Sequence, residues 1–395
     1  MNFQTPYYWY DLTLLDKTLN VLSKTAESYG YKIHYAVKAN NNERILRRIA
    51  HEGYGADCVS GNEVLLAMKC GFHASKIFFA GVGKTDDEII TALQHGIGAL
   101  VVESIEELEV ISELTQQLQR QANIILRINP EVDAHTHGNI TTGLKENKFG
   151  ISESRIFDAL SIMRQSSERL LFRGIHFHIG SQMMDFDPVR ELCIKVNAIR
   201  DAIVSEGFYP RIIDLGGGLG IDYDYPEGQP IPDFVNWCQA IYDTLRLESG
   251  EEVHLEPGRS IVGQCGMLIS KVLYVKQGEE KKFVILDAGM TELIRPALYG
   301  AKHAVRKIKR MGENNRPVFE SASISDNSEL YDVVGPICES SDTFAKNLPL
   351  PPMRRNDLVA ILSAGAYGEV MSSEYNGHTK PRVFYSDMKL SDEEH

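Results

Sequence analysis

From about residue 30 onward the chain alternates short apolar runs with longer segments whose apolar residues recur every three or four positions. The runs are Ile33–Val37, Ala56–Val59, Ile77–Ala80, Ala99–Val102, Ile124–Ile128, Leu171–His178, Ile212–Leu215 and Val253–Glu256. Each has the length of a buried strand. Between successive runs lie stretches of helical period at 42–51, 61–70, 86–94, 105–118, 154–164, 189–203 and 234–245. In the fourth, Ile105, Leu108, Ile111, Leu114 and Leu118 mark one face. Strands that do not alternate are covered on both sides, and helices between them make the sheet parallel. Eight such units predict an α/β chain folded as a closed (β/α)₈ barrel, a fold of about 250 residues. A doubly wound open sheet is the alternative.

After Gly263 the texture changes. Met267–Val275, Lys282–Leu286, Val318–Ala322 and Leu358–Leu362 read as strands between Gly, Pro and Asn punctuation, with few long helices. The expectation is a barrel over residues 30–263 and a mostly-β, sandwich- or barrel-like domain made of 1–29 and 264–395. No internal repeat stands out.

Composition changes this picture only by exclusion. The chain has 395 residues, 43% hydrophobic and 24% charged, enough for a sizeable core without staples. A formal charge of −13 argues against sequence-independent nucleic-acid binding. The start, MNFQTPYYWY, has no basic and then apolar leader, and no run of about 18 apolar residues suggests a membrane span. Six cysteines occur without a CxxC pair, and no His cluster completes a zinc pattern. No metal is expected, and scattered thiols fit a reducing cytoplasm.

On the catalytic face of such a barrel, polar residues sit just past the strands. Strand ends hold Lys38 and Asn40, Asp57, Arg127 and Asn129, His176 and His178, the glycines 216–218, and Glu256 with Arg259. A lysine closing an apolar strand either snorkels to solvent or is a desolvated amine of lowered pKa, suited to a Schiff base. Gly216-Gly217-Gly218 between strand and helix is either a tight turn or a place where backbone N–H groups meet a phosphate. Glu256-Pro-Gly258-Arg259 is either a rim ion pair or a carboxylate for a heterocyclic nitrogen beside an anion clamp. Together these are the needs of pyridoxal phosphate. His178 is a core histidine or a ring stacked on that cofactor. Cys338, taken alone, reads as a small buried hydrophobe rather than a catalyst.

Six motifs in order then carry a family resemblance: Tyr35-Ala-Val-Lys-Ala-Asn40, His176-Phe-His-Ile-Gly-Ser-Gln182, Gly216-Gly-Gly218, Glu256-Pro-Gly-Arg259, Cys338-Glu-Ser and Gly365-Ala-Tyr-Gly368. They resemble the fold type III PLP-dependent decarboxylases, with an alanine racemase-like barrel, from about residue 7 to 385. Asn147-Lys-Phe-Gly-Ile151 and the stretch from Asp287 to Tyr299 are most similar to the branch that decarboxylates diaminopimelate. The resemblance implies pyridoxal 5'-phosphate as cofactor and Lys38 as the Schiff-base lysine. It implies His178 stacked on the ring, Glu256 on its nitrogen, and Asp57, Ser181, Gly216, Gly217, Gly218, Gly258, Arg259 and Tyr367 around the cofactor. It further implies a homodimer in which Cys338, as proton donor, and Glu339 enter the partner's site.

For the substrate, the resemblance aligns Arg295 and Tyr299 with ligands for a carboxylate. Arg259 and Tyr367 reach the substrate beside the phosphate, and Glu339 takes its distal ammonium. The reading is meso-2,6-diaminoheptanedioate going to L-lysine and CO₂. Rivals are a decarboxylase of this fold acting on carboxynorspermidine, a D-amino acid, a diamine precursor or an acyl-carrier-bound substrate, a racemase, and a non-catalytic regulator. Two departures stand out. Ser341 replaces a glycine common in the family, and His135–Gly143 is expected as a mobile loop, centred near His137, over the site.

Overall fold

A computed structural model of the chain describes residues 3–132, 148–312, 316–320 and 328–388. The loop expected around His137 lies outside the described residues. The chain divides into two compact units. One comprises 19–220 and 233–258, the other 1–18, 221–232 and 259–395. These limits differ from cuts at 30 and 263.

The strands in chain order are β1 (Tyr7–Tyr10), β2 (Lys32–Ala36), β3 (Gly55–Cys58), β4 (Ile77–Phe79), β5 (Ala99–Val102), β6 (Ala122–Asn129), β7 (Ile151–Ser152), β8 (Leu170–His176), β9 (Ile212–Asp214) and β10 (Glu252–Leu255). All pairings among β2–β10 are parallel, in the order β5-β4-β3-β2-β10-β9-β8-β6, with β7 added to β6. A further pairing of β5 with β6 closes the circle into the expected eight-stranded barrel. The sequence made this legible because β3, β4 and β5 are buried at every position.

Most of the intervening helices begin where side chains satisfy free N–H groups. Asn42, Ser60, Ser104 and Asp233 each cap a helix, and Thr85 with Glu88 forms a full capping box. Ser60 and Ser104 follow the ends of β3 and β5 by two residues, so those strands run almost directly into a helix start. The candidate residues are therefore gathered at one end of the barrel.

The second unit is built on β1 and the strands β11 (Gly266–Gln277), β12 (Lys282–Leu286), β13 (Val305–Met311), β14 (Pro317–Phe319), β15 (Glu329–Val334), β16 (Thr343–Leu350), β17 (Leu358–Ile361) and β18 (Arg382–Tyr385). They form one nine-stranded sheet, mostly antiparallel, with β1 joining β11 and β18. Tyr7, Trp9, Ile269, Ile308 and Leu362 lie in its core. The first 29 residues hold more than a β contribution. An 18-residue helix, Leu12–Tyr29, follows β1, and the limit between the units falls inside it at Thr18. Residues 221–232 count with the β unit because Ala304 N–H donates to the Tyr223 carbonyl at 3.0 Å and Arg306 pairs with Glu227.

Candidate active site

Lys38 follows β2 in a single 3-10 turn, Val37–Ala39. Its Nζ donates to Asp57 Oδ2 on β3 at 2.8 Å, while 37% of its side chain remains exposed. The amine is therefore ion-paired and open to a cavity. The cavity holds about 410 Å³ and is lined by Lys38, Asp57, Arg127, His176, His178 and Glu256, with Gly81, Val82 and Gly83. Arg127 Nη1 donates to buried Glu103 at 2.7 Å, and its guanidinium lies 4.8 Å from the Phe149 ring.

At the cavity's base, His176 Nε2 donates to Glu256 Oε2 at 3.0 Å. Burial alone would raise Glu256, but the charge and hydrogen bond of His176, with Lys38, outweigh it and hold the carboxyl below its ordinary range. Its other oxygen, Oε1, is buried with no hydrogen-bond partner. Asp214 closes β9. Its Oδ1 accepts from Gly216 N–H at 2.8 Å, and it lies with His176 and Glu256 in a cluster whose polar atoms are within 4.8 Å of one another. Two buried carboxyl groups so close do not both ionise. Burial first, then the charge of Glu256, push Asp214 well above the carboxylate range. His178 is held neutral by burial and then by Lys38 and Arg127, and its Nδ1 accepts from Gly217 N–H at 3.3 Å.

The glycines are required by packing. Gly216 has φ +68°, and a Cβ on Gly217 would lie 2.2 Å from the Glu256 carbonyl oxygen. Met183 N–H donates to the Gly218 carbonyl at 2.9 Å, which seats the segment carrying Ser181 against the glycine run. Gly258 lets the chain after Glu256 meet the Lys38 turn, since a Cβ there would be 2.9 Å from the Cβ of Ala36 and of Ala39.

The β unit gathers the cationic candidates separately. Buried Arg259 donates from Nη1 to the Tyr223 hydroxyl at 2.6 Å, and its guanidinium lies 4.9 Å from the Tyr367 ring. Tyr299 is close enough to act electrostatically on Arg259. Arg295, also buried, lies 4.8 Å from the Tyr223 ring and 2.8 Å from His303 Nε2. Among the described residues no carboxylate stands within ion-pair distance of Arg295. Cys338 and Glu339 lie in the loop between β15 and β16, pinned by Asp342 accepting from the Ile337 and Met290 N–H groups. Cys338 is exposed, not the buried hydrophobe its residue type suggests, and Glu339 Oε1 accepts from Tyr375 at 2.7 Å. Ser341 has no left-handed backbone, so serine fits there without strain.

The sequence reading thus gathered most of both clusters. It assigned nothing to Asp214, although the aspartate opens the glycine motif at a strand end. Tyr223 and His303 lie in loops without periodicity, and no sequence signal marked them.

Residues 15–263 match the family model of the pyridoxal-dependent decarboxylases, pyridoxal binding domain. Buried, unpartnered Glu256 Oε1, the Lys38 amine in the same cavity and glycines that leave no room for side chains fit that cofactor. The chain is 50% identical to diaminopimelate decarboxylase of Bacteroides thetaiotaomicron over 388 residues, covering 97% of this chain and 96% of that protein. It belongs to the diaminopimelate decarboxylase family. The Helicobacter pylori enzyme of strain J99 is 42% identical over 380 residues, covering 96% of this chain and 89% of that protein. A crystal structure of the H. pylori enzyme complexed with L-lysine superimposes with a TM-score of 0.87 at 40% identity, over 97% of this chain and 92% of that one. Membership confirms the resemblance read from the six motifs and makes the chain a pyridoxal-dependent decarboxylase. Among the described residues no helix is long and apolar enough to cross a membrane.

Proposed function

We propose that the chain converts meso-2,6-diaminoheptanedioate to L-lysine and CO₂. The observation that carries this substrate is Arg295, a buried guanidinium with no carboxylate partner among the described residues. A buried charge left without a counter-ion is costly, so the site calls for an anion from outside. A carboxylate at the far end of the substrate meets that need, and ornithine, arginine and lysine have none to offer.

When bound, pyridoxal phosphate supplies an electron sink for the pair left behind as CO₂ departs. The chain's own residues hold and steer the reactants. Lys38 would hold the cofactor through its aldehyde, and Asp57 fixes the amine at 2.8 Å. Glu256, kept ionised by its neighbours, would hold the cofactor's protonated nitrogen with its unpartnered Oε1, and a proton kept there would deepen the sink. Neutral His178 would hold the cofactor's ring by stacking. Gly216, Gly217 and Gly218 would leave room for the phosphate, Gly218 and Ser181 would offer it donors, and Arg259 and Tyr367 would reach phosphate and substrate. Arg295 and Tyr299 take the distal carboxylate, and Glu339 takes the distal ammonium with the oxygen that Tyr375 leaves free.

The Cys338 thiol returns a proton to the carbon that lost CO₂. Its exposure in a single chain supports a homodimer in which the loop serves a second subunit. All six cysteines are free, which supports a cytoplasmic setting. Loaded with pyridoxal phosphate, the protein should release CO₂ from meso-diaminopimelate and not from lysine, ornithine, arginine or carboxynorspermidine. Release from one of those instead would discard the substrate while leaving the cofactor chemistry.

A further inference from the structure

Resting on Arg295 as the ligand of the distal carboxylate, we infer that His303 is the residue that positions it and so sets substrate selectivity. The chain arranges this locally. The short helix Arg295–Tyr299 ends at Gly300, whose φ of +62° turns the backbone and returns His303 to the guanidinium. His303 Nδ1 stands 2.8 Å from the Leu362 carbonyl oxygen, and Nε2 stands 2.8 Å from Arg295 Nη1.

These two contacts leave one assignment. A carbonyl only accepts, so Nδ1 carries the proton; a guanidinium only donates, so Nε2 is a bare lone pair. His303 is therefore a neutral acceptor for Arg295. Burial, and then the Arg295 charge, support this by depressing the imidazole to about 3. The anchor is firm, because Leu362 N–H also donates to the Ala304 carbonyl at 2.8 Å. Tyr223 completes the clamp, its ring 5.0 Å from His303 edge-on and 4.8 Å from the Arg295 guanidinium.

The choice of a neutral acceptor matters. Aspartate or glutamate in this place would orient the guanidinium equally well but would cancel its charge with a permanent ion pair. Imidazole orients Arg295, occupies one of its five donors and leaves the charge for the ligand. His303 thereby acts on the substrate only through Arg295.

The test compares His303→Ala, His303→Gln and His303→Asp as pyridoxal phosphate-loaded enzymes, with Arg295→Ala beside them. KM and kcat are measured on meso-diaminopimelate, and selectivity over lysine, which lacks the distal carboxylate. His303→Ala should raise KM for diaminopimelate about tenfold with kcat within about twofold, and lower selectivity to match. His303→Gln, which keeps an acceptor, should recover most of that loss. His303→Asp should be worse than His303→Gln, and this pair decides the matter if the alanine variant fails to fold. An unchanged KM in His303→Ala, or equal behaviour of His303→Gln and His303→Asp, overturns the inference while a selectivity loss in Arg295→Ala keeps the substrate reading. If Arg295→Ala also leaves selectivity unchanged, the reading of Arg295 falls and takes the inference with it.

Discussion

The barrel cavity and the arginine cluster of the β unit handle buried charge in opposite ways. In the barrel each charge has an internal partner. Lys38 meets Asp57, Arg127 meets Glu103, and Glu256 meets His176, with Asp214 taking up a proton. In the β unit, Arg295 is held by a neutral imidazole and an aromatic face and has no described carboxylate. A balanced network is rigid and preorganised for a cofactor that stays through every turnover. An unbalanced cation is a recognition element, because only the arriving ligand completes it.

The sharpest way to break that comparison is at Lys38. If the barrel network exists to hold the cofactor, Lys38→Ala should lower kcat by about 10³-fold or more and abolish covalent cofactor retention under dialysis. Retained activity would remove the Schiff-base assignment. Next in size is Arg295. Arg295→Ala should lower kcat/KM for diaminopimelate by about 100-fold, with a much smaller change in covalent cofactor binding. An equal loss in cofactor binding would show that the cluster is not a substrate reader.

A smaller effect should follow from Gly217→Ala. The added Cβ would meet the Glu256 carbonyl oxygen at 2.2 Å, backbone against backbone, so strand ends must separate. The expected cost is about 1–3 kcal/mol of stability, together with weaker cofactor affinity. An unchanged urea midpoint would mean that the glycine is free of this constraint.

The same contrast explains what the sequence could reveal. Buried parallel strands are continuous apolar runs, so all eight barrel strands were legible, and so were the polar residues at their ends. The β unit hid more. Val305–Met311 and Thr343–Leu350 are partly exposed and carry lysines, two arginines and an asparagine, so neither reads as a strand by its apolar pattern. Leu12–Tyr29 was passed over because the first residues were read only as an appendage of the sheet. Lys38, Glu256 and the glycines belong to contiguous motifs. Tyr223 and His303 meet Arg295 only after the chain has turned, and no local spacing encodes that meeting.

The smallest effect tests the proton balance of the barrel itself. Asp214 keeps its proton in the folded protein at pH values where the unfolded chain, with an aspartate near 3.9, has lost it. The folded state then binds more protons than the unfolded one, so this group's contribution to stability is whole below about pH 4. It declines as pH rises, until the raised folded value is passed. The slope is at most about 1.4 kcal/mol per pH unit across that window. Asp214→Asn carries no such proton and should flatten the decline. Urea midpoints of the cofactor-free protein, taken at steps from about pH 5 to 8 for both proteins, give the difference directly. Buried histidines and Glu63 contribute alike to both curves and cancel. If the two proteins lose stability in parallel, Asp214 is ionised in the fold. The barrel would then carry an uncompensated negative charge, and the contrast with the arginine cluster would reduce to one of sign.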